Sequence, residues 1–188
     1  MTHTSSYSLN LFGFWVYLMT DCILFATLFA TYWVLQDGTF GGPAATELWD
    51  LPFVLAETVV LLASSFSCGL AMLSAPSKRK MLAWFGVTFL LGGTFLFLEL
   101  SEFARFVHEG NGWQRSAFLS GFFTLVGTHG FHITVGLVWL VILLVPMMRQ
   151  GVNEISLRRL TYFRMFWHFL DVVWIFIFTI VYLMGVLR

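Results

Sequence analysis

Five long, predominantly apolar stretches, separated by short polar segments, divide the chain. They cover residues 11–35, 51–73, 81–102, 118–147 and 163–187. An α-helix needs about twenty apolar residues to cross a ~30 Å hydrocarbon layer, and each stretch is at least that long. Strands of a membrane barrel instead alternate over about ten residues. The pattern therefore predicts one all-α membrane domain, residues 1–188, built as a bundle of five transmembrane helices. A loop containing Gly42 and Pro43 joins the first two.

The composition agrees with a lipid environment. Of the 188 residues, 59% are hydrophobic and 11% are charged, whereas a soluble domain carries about 25% charged residues. The formal net charge is zero, so there is no basic surface to indicate nucleic-acid binding. Cys22 and Cys68 lie in separate apolar stretches and form no CxxC pair, so both are expected to be small packing residues.

The basic residues predict the orientation. Five spans place the termini on opposite sides, and the side of the N-terminus carries Lys78, Arg79, Lys80, Arg149, Arg158, Arg159 and Arg164. The other side carries Arg105, Arg115 and Arg188. Cytoplasmic loops are the ones enriched in Lys and Arg, so the N-terminus is expected in the cytoplasm. Because Arg105, His108 and Arg115 lie near one membrane face, they are candidate contacts for lipid head groups.

Eight ionisable residues stand within or at the edge of the apolar stretches, where they are costly. Each carboxylate costs about 2.5–3.5 kcal/mol on insertion scales, so these side chains are expected to face the bundle interior or a partner protein. The eight are Asp21, Glu57, Glu99, Glu102, His129, His132, His168 and Asp171.

Three pairs among these residues have a spacing of three, which places both members on one helix face. The pairs are Glu99 with Glu102, His129 with His132, and His168 with Asp171. The economical interpretation is a structural polar seam across helices three to five, in which histidines and carboxylates pair with one another. His168 would then pair with Asp171.

Three chemical alternatives to the seam remain open. The HxxH spacing with a carboxylate could bind zinc or a di-metal centre, although the Glu-x-x-His spacing of di-iron bundles is absent. His129 or His132 could join His168 as axial haem ligands. Asp21, Glu57 or the seam could relay protons, because acids inside a membrane often do so.

Asp21 stands apart from the seam, in the middle of the first stretch. A packing hydrogen bond is the simplest role for it. The second helix is the expected partner of the first, because small residues at positions 63–69 allow close approach of two backbones.

Four sequence blocks resemble subunit III of the haem-copper respiratory oxidases. They are FGFW with DCILF over residues 12–25, LSEF over 100–103, GTHGFHITVG over 127–136 and FWHFLDVVWIF over 166–176. The blocks occur in the family's order and spacing, and the resemblance covers essentially the whole chain. Subunit III of cytochrome c oxidase usually has seven helices and a Glu at the position of Asp21. The five-helix form and the Asp look like the bo-type ubiquinol oxidases.

The resemblance implies an accessory subunit without catalytic, cofactor-binding or metal residues. Haems and copper would belong to subunit I, and the partners would be subunits I, II and IV together with structural phospholipids. The whole complex would oxidise ubiquinol, reduce oxygen to water and pump protons across the bacterial inner membrane. This chain would support complex stability, lipid binding and proton uptake.

Two other functions are compatible with the residues. One is a shortened subunit III of a cytochrome c oxidase, which a neighbouring gene for a copper-binding subunit II would indicate. The other is a proton-coupled transporter that uses Asp21 and the seam. Transporters often carry inverted repeats and broken helices, whereas this sequence has no evident internal repeat and no proline in the middle of a span.

Overall fold

The computed structural model describes residues 2–41 and 48–187, and this part of the chain is helical without strands. The helices are α1 (Thr2–Leu35), α2 (Leu51–Leu73), α3 (Lys78–His108), α4 (Ala117–Gln150) and α5 (Glu154–Ile177), followed by a π-helical segment (Phe178–Leu183) and α6 (Met184–Leu187). Gly42 and Pro43 of the predicted loop, and Arg188 of the charge comparison, lie outside the described residues.

The five predicted membrane helices are confirmed. Five helical segments are long and apolar enough to cross a membrane, the last of which joins α5 to α6. Several begin earlier than the apolar stretches do: α1 begins at Thr2, α3 at Lys78 and α5 at Glu154. A helix that has formed adds one backbone hydrogen bond per residue, so polar flanking residues continue it into water.

Local sequence signals determine both ends of α4. The Ser116 hydroxyl accepts a hydrogen bond from the Leu119 amide at 3.1 Å, which is a standard N-cap. At the other end, Gly151 adopts a φ of 93°, a conformation that glycine tolerates because it has no Cβ. The short turn that follows leads directly into α5.

Helices α2 to α5 form a four-membered ring, and α1 lies outside it. Within the ring α2 packs on α3, α3 on α4, α4 on α5 and α5 on α2, while α1 packs on α4 and α5. The prediction that α1 packs on α2 is therefore wrong. Three serines of the stretch 63–69 instead face the ring, where Ser64, Ser65 and Ser67 meet α3 and α5.

Helix α1 contacts the ring through a single stripe of side chains. Leu18, Asp21, Phe25 and Tyr32 are buried, and Leu28 packs beside them. Their spacing alternates between three and four residues, which keeps them on one helix face. Most of the remaining large apolar side chains of α1 are exposed and would face lipid or a neighbouring protein.

Trp167 of α5 fills the centre of the ring because two glycines make room for it. A Cβ built on Gly92 of α3 would lie 2.7 Å from the Trp167 ring, and one built on Gly136 of α4 would lie 2.9 Å from it. The indole nitrogen donates to the Ser64 hydroxyl of α2 at 3.2 Å. One side chain therefore joins all four helices of the ring.

Candidate functional site within the helix bundle

The eight ionisable residues identified in the sequence do not form one continuous seam. Most of them fall into three local groups, each at a different helix contact, and His129 lies between the groups. The spacing along a helix brings together only residues of that helix. The members that come from different helices meet because of the ring arrangement.

The first group, here called the acid group, consists of Glu57 of α2 and Glu99 and Glu102 of α3, with Tyr182 of the π-helical segment. All four are fully or almost fully buried. The Tyr182 hydroxyl donates to Glu102 Oε2 at 3.0 Å, and Arg105 Nη2 lies 3.8 Å from Glu102 Oε1. Among the described residues, no hydrogen-bond partner reaches either oxygen of Glu57 or of Glu99.

The position of Tyr182 was not predicted as part of the site. It belongs to the six-residue π-helical segment that ends α5, and such wide turns are frequent at functional positions. The sequence does place a tyrosine inside the last apolar stretch. A buried tyrosine hydroxyl usually finds a hydrogen-bond partner, so its presence there could have indicated a contact with one of the buried acids.

His129 is completely buried and is packed as an aromatic ring. Its centroid lies 5.2 Å from Trp174, 5.9 Å from Phe95 and 6.4 Å from Phe25. Neither ring nitrogen has a hydrogen-bond partner within the described part of the chain. The predicted pairing of this histidine with a carboxylate is therefore absent.

The second group is the contact between Asp21 of α1 and His132 of α4. His132 Nε2 lies 4.0 Å from Asp21 Oδ1, and the other ring nitrogen, Nδ1, lies 2.7 Å from the Thr128 carbonyl oxygen. The Tyr17 hydroxyl, one helical turn before Asp21, also interacts with this carboxyl group. Asp21 therefore contacts α4, at a distance longer than that of a hydrogen bond.

The third group joins α2 and α5 around Ser65. Its hydroxyl lies 2.6 Å from His168 Nδ1 and also interacts with Asp171, while Asp171 Oδ1 has no partner among the described residues. The prediction that His168 pairs directly with Asp171 is wrong. A serine from the neighbouring helix takes the imidazole nitrogen, and the sequence had marked that serine only as a small packing residue.

The geometry offers no support for the zinc and di-metal alternatives. In residues 2–41 and 48–187, no three His, Cys, Asp or Glu side chains are placed to hold a metal ion together. The three groups instead consist of hydrogen-bonding partners and buried acids, and such arrangements can hold protons and fix helix contacts.

The candidate lipid contacts lie where α3 ends and α4 begins. Arg115 Nη1 donates to Asn111 Oδ1 at 2.9 Å beside a surface depression of about 370 Å³ that Val107, Trp113 and Gln114 also line. Arg105 lies over the Phe106 ring at 5.2 Å, and His108 is exposed at the end of α3.

Comparison with known proteins gives one consistent result. The family model described as Cytochrome c oxidase subunit III matches residues 2–186. A protein of Pseudomonas aeruginosa named cytochrome bo(3) ubiquinol oxidase subunit 3 is 53% identical over 95% of this chain and 86% of its own length. One of Pseudomonas putida with the same name is 51% identical over 95% and 87%. A protein of Bacillus sp. (strain PS3) named cytochrome c oxidase subunit 3 is 47% identical over 92% and 84%.

Proposed function

The chain belongs to the cytochrome c oxidase subunit III family, and from this premise we propose that it serves a proton-pumping ubiquinol oxidase of the bo type. The family is the accessory subunit III of haem-copper oxidases, so the chain is a non-catalytic, multi-pass membrane subunit of a larger oxidase complex. The observation that carries the choice of donor is the name shared by the two Pseudomonas relatives at 53% and 51% identity.

The remaining assignments follow from that proposal. The partners are subunits I, II and IV, with haems and copper in subunit I, and the complex lies in the bacterial inner membrane. The N-terminus is cytoplasmic. The chain stabilises the complex, supports proton uptake and binds phospholipids, with Arg105, His108 and Arg115 as head-group contacts. The eight buried ionisable residues hold helices together or exchange protons, and none carries out redox chemistry.

The test of this function is the electron donor of the purified complex. We expect the complex that contains this chain to oxidise ubiquinol and not reduced cytochrome c. The isolated chain should show no haem absorbance and no oxidase activity. Haem bound to the isolated chain would contradict the accessory role.

One observation favours a second donor. The Bacillus relative named as a cytochrome c oxidase subunit is 47% identical, close to the values of the two ubiquinol oxidase relatives. Turnover with reduced cytochrome c but not with ubiquinol would therefore assign the chain to a shortened cytochrome c oxidase subunit III. The accessory role would stay the same.

A further inference from the structure

Two turns of the chain meet at the end of the bundle where α3 begins. One turn joins α2 to α3 and the other joins α4 to α5. Lys78 Nζ donates a hydrogen bond to the Met148 carbonyl oxygen at 3.3 Å, which places the first residues of α3 beside the last turn of α4. Side chains from two distant parts of the sequence therefore share one surface.

This surface, here called the basic corner, consists of four exposed cations: Lys78, Arg79, Lys80 and Arg149. The nearest acid along the chain is Glu154 at the start of α5, and its carboxylate lies 3.6 Å from Arg158 of the same helix. In the part of the chain that the structure describes, no carboxylate forms an ion pair with a member of the basic corner.

The cations at the opposite end of α3 and α4 are arranged differently. Arg105 lies 3.8 Å from the Glu102 carboxylate, and Arg115 donates to Asn111 Oδ1 at 2.9 Å and to the Gly110 carbonyl oxygen at 3.3 Å. In the basic corner only Lys78 has an acceptor of this kind. Because like charges at short distances repel one another, the basic corner favours an anion that comes from outside the chain.

Exposed apolar side chains lie next to the basic corner and indicate the kind of anion. Leu73 ends α2, Met148 precedes Arg149, and Trp84 lies one turn after Lys80 on the same face of α3; all three side chains are exposed. A cluster of at least four Lys and Arg residues at the end of a transmembrane helix typically recognises anionic lipid head groups. Acyl chains would cover the apolar side chains, which an acidic peptide in water would leave exposed.

We propose that the basic corner binds an anionic phospholipid of the adjacent leaflet and that this lipid joins α3 to α4. Its phosphate lies among the four cations, and its acyl chains lie against Leu73, Trp84 and Met148. The site is separate from the head-group contacts proposed for Arg105, His108 and Arg115, which lie at the other end of these helices. It is also independent of the electron donor, because it rests only on the contact between two turns.

Photolabelling of the assembled complex in lipid nanodiscs tests the site. The nanodiscs consist of phosphatidylcholine with a small fraction of photoactivatable phosphatidylglycerol or, in a matched sample, of photoactivatable phosphatidylcholine. Mass spectrometry quantifies labelling of residues 74–84 and 145–153, and residues 12–34 of α1 are the reference because they contain no basic side chain. The ratio of anionic to zwitterionic labelling should be at least about fivefold higher in the basic corner than in α1.

A triple variant and a matched control separate charge from shape. Arg79→Gln, Lys80→Gln and Arg149→Gln together remove three charges but leave the Lys78 contact, so the labelling ratio should fall to the value of α1. Arg79→Lys, Lys80→Arg and Arg149→Lys together keep all charges and should keep the native ratio. Purification through another subunit of the complex selects chains that have assembled.

Three results would overturn the proposal. The first is equal labelling of the native basic corner by the two lipids, which would mean that an acidic protein segment covers it. The second is a native labelling ratio in the triple Gln variant. The third needs no variant: salt screens charges, so a preference that survives molar salt cannot arise from the four cations. Inorganic phosphate at constant ionic strength should leave the preference intact, and its loss would indicate a site for small anions instead.

Discussion

Buried ionisable side chains in this molecule differ chiefly in whether they have partners. Glu102 has a phenolic donor and a nearby guanidinium, whereas Glu57 has no partner for either oxygen among the described residues. A buried polar group without a hydrogen bond costs about 1–3 kcal/mol, and removing one member of a bonded pair costs a similar amount. The same substitution is therefore expected to change the stability of the subunit in opposite directions at these two glutamates of the acid group.

We expect Glu57→Leu to stabilise the subunit by up to about 1–3 kcal/mol, because it removes an unpaired polar group of similar size. Glu102→Leu should destabilise it by a similar amount, because it leaves the buried Tyr182 hydroxyl without an acceptor. Thermal release of the subunit from the purified complex measures both changes. A loss of stability in Glu57→Leu would mean that Glu57 has a partner outside the described residues.

Ser65→Ala tests the corrected pairing in the third group. Because this hydroxyl is the partner of His168 and also reaches Asp171, its removal should cost about 1–3 kcal/mol. Ser101→Ala is the control, since that hydroxyl is exposed and donates to the Leu98 carbonyl of its own helix. If the two variants melt at the same temperature, the bond between Ser65 and His168 contributes nothing to stability.

At the scale of helices, the number and type of elements could be predicted because hydropathy alone determines them. The continuous apolar stretches located all five helices, and the spacing of three correctly placed Glu99 and Glu102 in one buried group. Helix neighbours could not be read in the same way. In lipid the apolar face of a helix carries no signal for its partner, so the choice of α4 over α2 as the neighbour of α1 depended on side-chain fit. The π-helical segment that positions Tyr182 has no sequence signature either.

Close helix contact in the ring depends on glycine at position 92. Gly92→Ala should push Trp167 away, because the new Cβ would lie 2.7 Å from its ring. Overpacking of this kind typically costs about 1–3 kcal/mol. Gly93→Ala, one residue later, is the control: its Cβ would meet nothing within 4 Å, and alanine favours a helix by up to about 1 kcal/mol over glycine. Melting temperatures of the two variants should therefore move in opposite directions.

For the whole molecule, the distribution of charge and the arrangement of the helices are separate properties. Most basic side chains lie on the side of the N-terminus, including Lys78, whose amino group reaches the Met148 carbonyl at the end of α4 at 3.3 Å. A cation near the C-terminal end of a helix is favourable, so this contact both joins two helices and marks the proposed cytoplasmic face.

The orientation can be tested with reporters that are active on only one side of the membrane. A periplasmic reporter should be active when fused after Arg188 and inactive when fused before Thr2. Changing Lys78, Arg79 and Lys80 to Gln should increase the fraction of inverted molecules, because the basic residues set orientation. Changing Gln114 to Asn, on the opposite face, is the control. A fusion before Thr2 that is active in the native chain would reverse the proposed orientation.

The position of α1 outside the ring has a consequence for the order of events during synthesis. This helix is made before the four helices of the ring, and its two packing partners are the last of those four to be made. About 100 residues separate the end of α1 from His132, and at roughly 5–20 residues per second the delay is about 5–20 s. During that time His132 has not been synthesised, so Asp21 lacks this contact. The inserted α1 must remain in the bilayer, or beside an insertion factor, until α4 and α5 have been synthesised.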